Sequence, residues 1–369
     1  MDVNVKMKDN LEIRAFYLFF IITSIQTGTG IMGAPKYIFI EAGRDSWLAV
    51  LIAFVYMLLV VLAMHISLKQ YENADIFGIQ IDIFGGWIGK LLGSLFIIHL
   101  AASLFSVLST YIEVIQTFIF PTFPTYTLAL IFLCLIVYSV LGGIRVIVGV
   151  IFIFFILVQF LMVLLIVPAL RIDMTHLLPT FQTSFMDLLK GAKATSYSFL
   201  GFEILFLLYP FIQNKKNVKL PIFLGVTWTA FTLLLVTVIA IGYYSPKQLV
   251  TLDWSVLELF KVVSFSFIER FDYVVVAVWM MVILPNMILL MWGMTYGVKR
   301  LYKVSQKKTL YICSAVIFVL CNILKDSQSI IKFTSSLSQV SFWVVYVYPF
   351  LLLLLVLIKK KWRKNKGEI

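Results

Sequence analysis

The stretch IQTGTGIMGAPKY, residues 25–37, interrupts a long apolar run. Glycine is one of the poorer helix formers, yet Gly28, Gly30 and Gly33 fall within six residues. In hydrocarbon, each unpaired backbone amide or carbonyl costs roughly several kcal/mol. A helix broken at this point must find a partner for the groups it frees, and the interleaved Thr27 and Thr29 mark that partner as polar.

The composition around it is that of a polytopic membrane protein. Of 369 residues, 62% are hydrophobic and 13% charged, and the mean hydropathy is +1.01. No soluble core of that length needs so much apolar surface. The opening MDVNVKMKDNLEIR carries mixed charge and lacks the basic start, short apolar core and small-residue cleavage site of a signal peptide. Cys134, Cys313 and Cys321 lie in apolar segments without disulfide or zinc spacing, and His65, His99 and His176 are scattered. No metal or cofactor is therefore expected. The chain has no P-loop, G-x-S-x-G or H-E-x-x-H motif, which sets enzymes aside.

A spanning helix takes about 20 apolar residues. Ten segments qualify: 14–42 and 184–212, both interrupted, together with 46–69, 88–119, 125–141, 146–167, 220–243, 272–299, 309–324 and 337–358. The stretch 244–271 is too polar to span. Its DWSVLELFKVVSFSFIERF reads as an amphipathic segment lying on the membrane or capping the protein. With the N-terminus, the loops after even-numbered spans and the C-terminus on one side, that side holds 20 of the 30 Lys and Arg. It should be cytoplasmic, with both termini inside. Topology and contact with anionic lipid then explain the net charge of +12 better than nucleic acid does. The closing KKKWRKNK, within a basic tail 359–369, is expected at the lipid headgroups.

The first break has a counterpart. SYSFLGFEILF, residues 196–206, interrupts the sixth segment, and Thr29 and Gly201 stand 172 positions apart, close to half the chain. Five spans follow the start of each half, and an odd number inverts the second half relative to the first. The expected fold is all-α: one membrane domain of ten transmembrane helices in two inverted repeats, about 14–167 and 184–358, with a binding site near the midplane where the interrupted first and sixth helices meet. Half-helix N-termini suit a carboxylate and freed carbonyls suit an ammonium, demands that a zwitterionic amino acid meets together.

QTGTGIMGAPKYIFIEAGRDSW in the first span and FLGFE in the sixth resemble the amino acid–polyamine–organocation transporter superfamily, whose fold is of the leucine-transporter type. More narrowly, the break running into APKYIFIEAGRDSWLAVLIA, with FIERFDYVVVAVWM before the eighth span, is similar to the spore germination permeases, the B subunits of spore germinant receptors. The likeness covers nearly the whole chain, and EAGRDSW is its most specific piece. It implies a protein of the spore inner membrane, working beside a larger A-type subunit and a C-type lipoprotein, that recognises a small nutrient and triggers germination. Carried over, the ligand site would include Thr27, Gly28, Thr29, Gly30 and Ile31 in the first span and Ser198, Phe199, Leu200, Gly201 and Phe202 in the sixth, with Glu203 just past the break. The family's fifth span opens with a glycine, an acidic residue and, further on, an arginine. Here Arg145 and Gly149 stand at the last two places, so no ionic contact carries over.

Blander roles compete at several positions. Gly28, Gly30 and Gly33 also fit close helix packing. Glu203 fits a bond to broken backbone as well as a ligand contact. Tyr111 fits an interfacial anchor and Glu113 a solvated group, while Pro285 with Asn286 either lines a pocket or kinks the eighth span. Two functions remain: a ligand-sensing receptor subunit and a secondary amino-acid transporter of the plasma membrane. A channel ranks third, because charged residues within the spans are too sparse to line a continuous pore.

Overall fold

The computed structural model describes residues 2–263 and 270–365, and it is helical, with two isolated β-bridges among those residues. The helices are α1 (Tyr17–Gln26), α2 (Gly30–Ala42), α3 (Ser46–Lys69), α4 (Ile76–Phe118), α5 (Thr125–Leu141), α6 (Gly143–Val158), α7 (Phe160–Leu164), α8 (Ile166–Ala169), α9 (Phe185–Ser196), α10 (Leu205–Leu208), α11 (Lys219–Tyr243), α12 (Pro246–Leu249), α13 (Ser255–Leu259), α14 (Phe271–Tyr302), α15 (Gln306–Ile323), α16 (Ser327–Ser341) and α17 (Tyr348–Asn365). Among the described residues, six helical stretches are long and apolar enough to cross a membrane, and the bent pair Phe185–Phe199 and Phe202–Phe211 makes a seventh. Helices α1 and α5 are apolar but shorter.

Both interruptions are present. Helix α1 stops where Thr27 leaves helical geometry (φ −84, ψ 71), and α2 resumes at Gly30. In the sixth segment, extended Leu200 and left-handed Gly201 (φ +112) separate the two halves, which bend by 54°. Two other segments are longer than hydropathy implies. Helix α4 begins at Ile76 rather than near 88 and turns at Gly85 (φ +82). The last begins at Ser327, passes a π-turn at Phe342–Val347 and runs to Asn365. The basic residues up to Asn365 continue the helix, and two of them, Lys359 and Arg363, pair with Asp82 of α4 at 3.7 and 2.8 Å.

The EAGRDSW phrase is a clamp. Gly43 (φ +55) turns the chain between α2 and α3. Asp45 is buried there and accepts the amides of Phe181, Gln182 and Thr183 at 2.7, 2.9 and 3.0 Å. Arg44 donates to the Leu178 carbonyl, and the Thr183 hydroxyl donates to the Ala42 carbonyl at 2.9 Å. The loop feeding α9 is therefore fastened to the end of α2, which fixes the two interrupted segments relative to each other.

The polar stretch after α11 caps the molecule. Val256, Leu257, Leu259 and Phe260 are all buried. A Cβ on Gly33 would lie 2.5 Å from the Asp253 carbonyl oxygen, so this glycine serves packing. The remainder of the amphipathic segment, 264–269, lies outside the described residues. At the opposite end, the N-terminal segment laces several elements together. The Val5 amide donates to Asn73 O at 2.8 Å, the Ile13 amide to Phe211 O at 2.7 Å, and Arg300 to Asp2 O at 2.6 Å. Arg145 donates to the Asp9 and Glu12 carbonyls at 2.6 and 3.2 Å. The residue that departs from the expected acid thus holds this strap in place.

Candidate functional site

The two breaks bond to each other. Gln26, the last residue of α1, donates Nε2–H to the Phe199 carbonyl at 2.9 Å, and Ser198 Oγ donates to the Gly30 carbonyl at 3.2 Å. Side chains of each break therefore satisfy backbone of the other. From α14, Asn286 Nδ2 donates to the Ser24 carbonyl at 2.9 Å. The Tyr346 hydroxyl reaches the Ser196 carbonyl at 2.9 Å.

Gly201 is demanded twice over. Its φ of +112 is left-handed, and an added Cβ would lie 2.8 Å from the Ile25 carbonyl oxygen. Its amide donates to Glu203 Oε2 at 2.8 Å. That puts a carboxylate at the N-terminus of the half-helix Phe202–Phe211, where the helix dipole favours negative charge. Glu203 Oε1 lies 3.2 Å from His99 Nε2, whose Nδ1 lies 3.5 Å from Ser341 Oγ. Glu203 and His99 are 3% and 4% exposed, so bulk water does not reach this chain of contacts.

Between the breaks, α4 and α14 lies a cavity in which the centres of water-sized molecules have about 50 Å³. At roughly 10–15 Å³ of such space per water, it takes a few waters or one small solute. Gly28, Thr29, Gly30, Ser198, Leu200, Gly201 and Glu203 border it. Thr27 and Ile31 do not; they border a second cavity of about 70 Å³ on the side of α1 facing α6 and α11. Phe199 and Phe202 border neither: Phe199 takes part through its carbonyl, and Phe202 packs edge-on against Tyr346 with ring centres 5.5 Å apart. Around Gly30 the space is filled, since a Cβ would lie 3.1 Å from Ser198 Cα and 3.2 Å from the Tyr197 ring. Gly28 is the open glycine, with its nearest such neighbour at 3.7 Å.

The arrangement is chemically lopsided. Helix α2 starts at Gly30, and the first-turn amides of a helix have no partner within it. The Met32 amide donates to the Thr29 carbonyl at 3.2 Å, so those of Gly30 and Ile31 remain for an anionic group. The matching end of the sixth segment already holds the chain's own carboxylate, Glu203. The Gln26 Oε1 atom is buried without a partner among the described residues, and the Thr29 hydroxyl faces that of Tyr197 without a bond of good geometry.

Gln26, His99, Ser103 and Ser106 belong to this region but did not stand out in the sequence. Gln26 was masked by the glycines beside it. The other three carried a usable signal: His99, Ser103 and Ser106 recur at helical spacing along α4, a polar stripe on one face. Tyr111 is buried and donates to the Val276 carbonyl at 2.8 Å, which makes it a structural tie between α4 and α14 rather than an interfacial anchor. Glu113 accepts a hydrogen bond from Ser327.

The chain is similar to known proteins along most of its length. The family model described as Spore germination protein (Spore_permease) matches residues 12–330. The chain is 31% identical to Spore germination protein GerQB of Bacillus cereus over 353 residues, covering 96% of this chain and 98% of that one. It is 24% identical to Spore germination protein YndE of Bacillus subtilis (strain 168) over 354 residues, covering 94% and 96%. Among solved structures, a Na+-coupled sialic acid symporter in a substrate-bound outward-open state superposes with a TM-score of 0.62 at 10% identity, covering 93% of this chain and 76% of that one. At that identity the likeness is one of fold.

Proposed function

This chain belongs to the spore germination protein family, and we propose that it is the membrane-embedded subunit of a spore germinant receptor, binding a small molecule at the unwound centres of its first and sixth spans and triggering germination. The observation that carries the proposal is the small cavity enclosed by the two breaks, polar on the side of Ser103, Ser106, Ser198 and Glu203. Its size favours a small amino acid. The ligand's carboxylate would sit at the first-turn amides of α2 beside Gly28, and its ammonium on the acceptor-rich side formed by Glu203 and the serine hydroxyls. The partners are an A-type membrane subunit and a C-type lipoprotein in the spore inner membrane. Family and fold are of the permease type rather than enzymic.

The fold shared with a symporter favours a second reading, a secondary amino-acid transporter. The two differ in what ligand binding must do. A sensor needs only a difference in affinity between two conformations, and about 1–3 kcal/mol of coupling shifts populations severalfold or more. A transporter must also expose the site to both sides in turn. With labelled alanine as probe, the full chain in proteoliposomes should bind without accumulating it, and deletion of the A-type or C-type partner should abolish the spore's response. Accumulation by the isolated chain, with germination indifferent to the partners, would replace sensing by transport.

The accompanying topology is ten spans in inverted repeats, about 14–167 and 184–358, with both termini on the core side. It rests on the charge split and the paired breaks. Thr251 and Lys308 are both exposed, whereas Ser255, on the same loop as Thr251, is buried. Single cysteines at 251 and 308, with Cys134, Cys313 and Cys321 removed, should label from opposite faces. Labelling from one face would sink this topology.

A further inference from the structure

Sodium-coupled proteins of this architecture hold the ion on carbonyls that an unwound helix leaves free, and the fold here is shared with a Na+-coupled symporter. The residues of this chain do not fit such an ion. The carbonyl oxygens of Ser24 and Thr27, at the unwound end of α1, and of Val282 in α14 converge on one atom, Asn286 Nδ2, at 2.9, 3.4 and 3.3 Å. Asn286 is 2% exposed, so bulk water does not compete for these contacts. An amide nitrogen carries two hydrogens and the amide oxygen carries none. Turning the side chain over would set that oxygen against three carbonyls, so the surrounding backbone dictates its orientation. The hydroxyls of Thr27 and Thr23 give their hydrogens elsewhere, to the Thr23 carbonyl at 2.6 Å and the Gly225 carbonyl at 3.3 Å, so neither satisfies these carbonyls.

We infer that Asn286 is a built-in replacement for a coupling ion: its amide satisfies the freed carbonyls of the first-span break and holds that break in shape without sodium. The inference concerns the ion alone and stands whether the chain senses or transports. It is tested on the purified full chain by thermal unfolding in NaCl against choline chloride at matched ionic strength. The wild-type midpoint should be the same in both salts at every concentration. Asn286→Asp points a carboxyl group at the same carbonyls, a cage of oxygens that a proton or a metal cation can reconcile, so it is measured at high pH, where the proton is scarce and sodium has the advantage. Its midpoint should be depressed in choline and should rise with the logarithm of NaCl concentration, as for a ligand that binds only the folded state. If the aspartate variant fails to accumulate, equilibrium dialysis of the wild type against radiolabelled sodium decides, with no retention above a lipid-only control expected. A wild-type midpoint that climbs saturably with sodium, stoichiometric sodium retention by the wild type, or a folded aspartate variant indifferent to sodium each overturns the inference.

Discussion

Gly201→Ala should leave little or no protein in the membrane, while Gly28→Ala should accumulate like the wild type. The contrast follows from what a Cβ meets at each position. At 201 the backbone is left-handed at φ +112, and the new carbon lies 2.8 Å from the Ile25 carbonyl oxygen. The left-handed conformation costs a side chain roughly 1–2 kcal/mol. Forcing an extra carbon into packed surroundings costs typically about 1–3 kcal/mol more, and here the obstacle is backbone, which cannot rotate away. Against total stabilities of about 5–15 kcal/mol, that sum removes a large share. At Gly28 the φ is not left-handed and the nearest atom is 3.7 Å away, an ordinary contact. Its methyl group would project toward Asn286 at the cavity edge, so any loss there should be of ligand response and not of abundance. Size-exclusion profiles of tagged protein from membranes read the difference. Wild-type abundance and midpoint for Gly201→Ala would mean that the break does not have this backbone geometry.

How much of this was legible depended on whether the signal was local. Three glycines among threonines in hydrocarbon announce a broken helix by themselves, and FLGFE announces the second, because both arguments concern the backbone of one short segment. The purpose of each glycine was not legible. Gly30 serves the crossing of α2 over Ser198 and Tyr197, Gly33 the approach of Asp253, and Gly201 the passage past Ile25. These depend on how separate spans are rotated against one another, which hydropathy does not encode. The same holds for the Glu203–His99 contact, made across 104 positions. Boundaries failed where helices leave the hydrocarbon pattern. Helix α16, SQSIIKFTSSLSQVS, is too polar to count as span, yet its Thr334 hydroxyl lies 2.8 Å from that of Ser106 in α4. EAGRDSW was recognisable as a signature, but its reason, an aspartate collecting three amides of a distant loop, needed three dimensions.

Glu203→Ala is expected to cost the protein its fold, and Glu203→Gln to spare most of it. The carboxylate is buried between two donors, the Gly201 amide at 2.8 Å and His99 Nε2 at 3.2 Å. Removing it leaves both without their acceptor in a buried region. Breaking a buried pair by deleting one partner typically costs about 3–5 kcal/mol. Glutamine keeps the shape and can divide the work: its oxygen accepts from Gly201, and its amide donates to Nε2 of a histidine that has moved its proton to Nδ1. That tautomer still faces an acceptor, since Ser341 Oγ lies 3.5 Å from Nδ1. The negative charge at the head of the half-helix is lost, a smaller effect of roughly 0.3–1 kcal/mol, up to about 2 in partly buried settings. Abundance and unfolding midpoint should therefore rank wild type, then glutamine, then alanine well below, and spores carrying the glutamine variant should still germinate at a moderately higher nutrient concentration. Because Glu203 also borders the cavity, the opposite pattern is informative. If both variants accumulate normally and both abolish the response, the carboxylate's work is on the ligand, and the backbone of the sixth-span break holds without it.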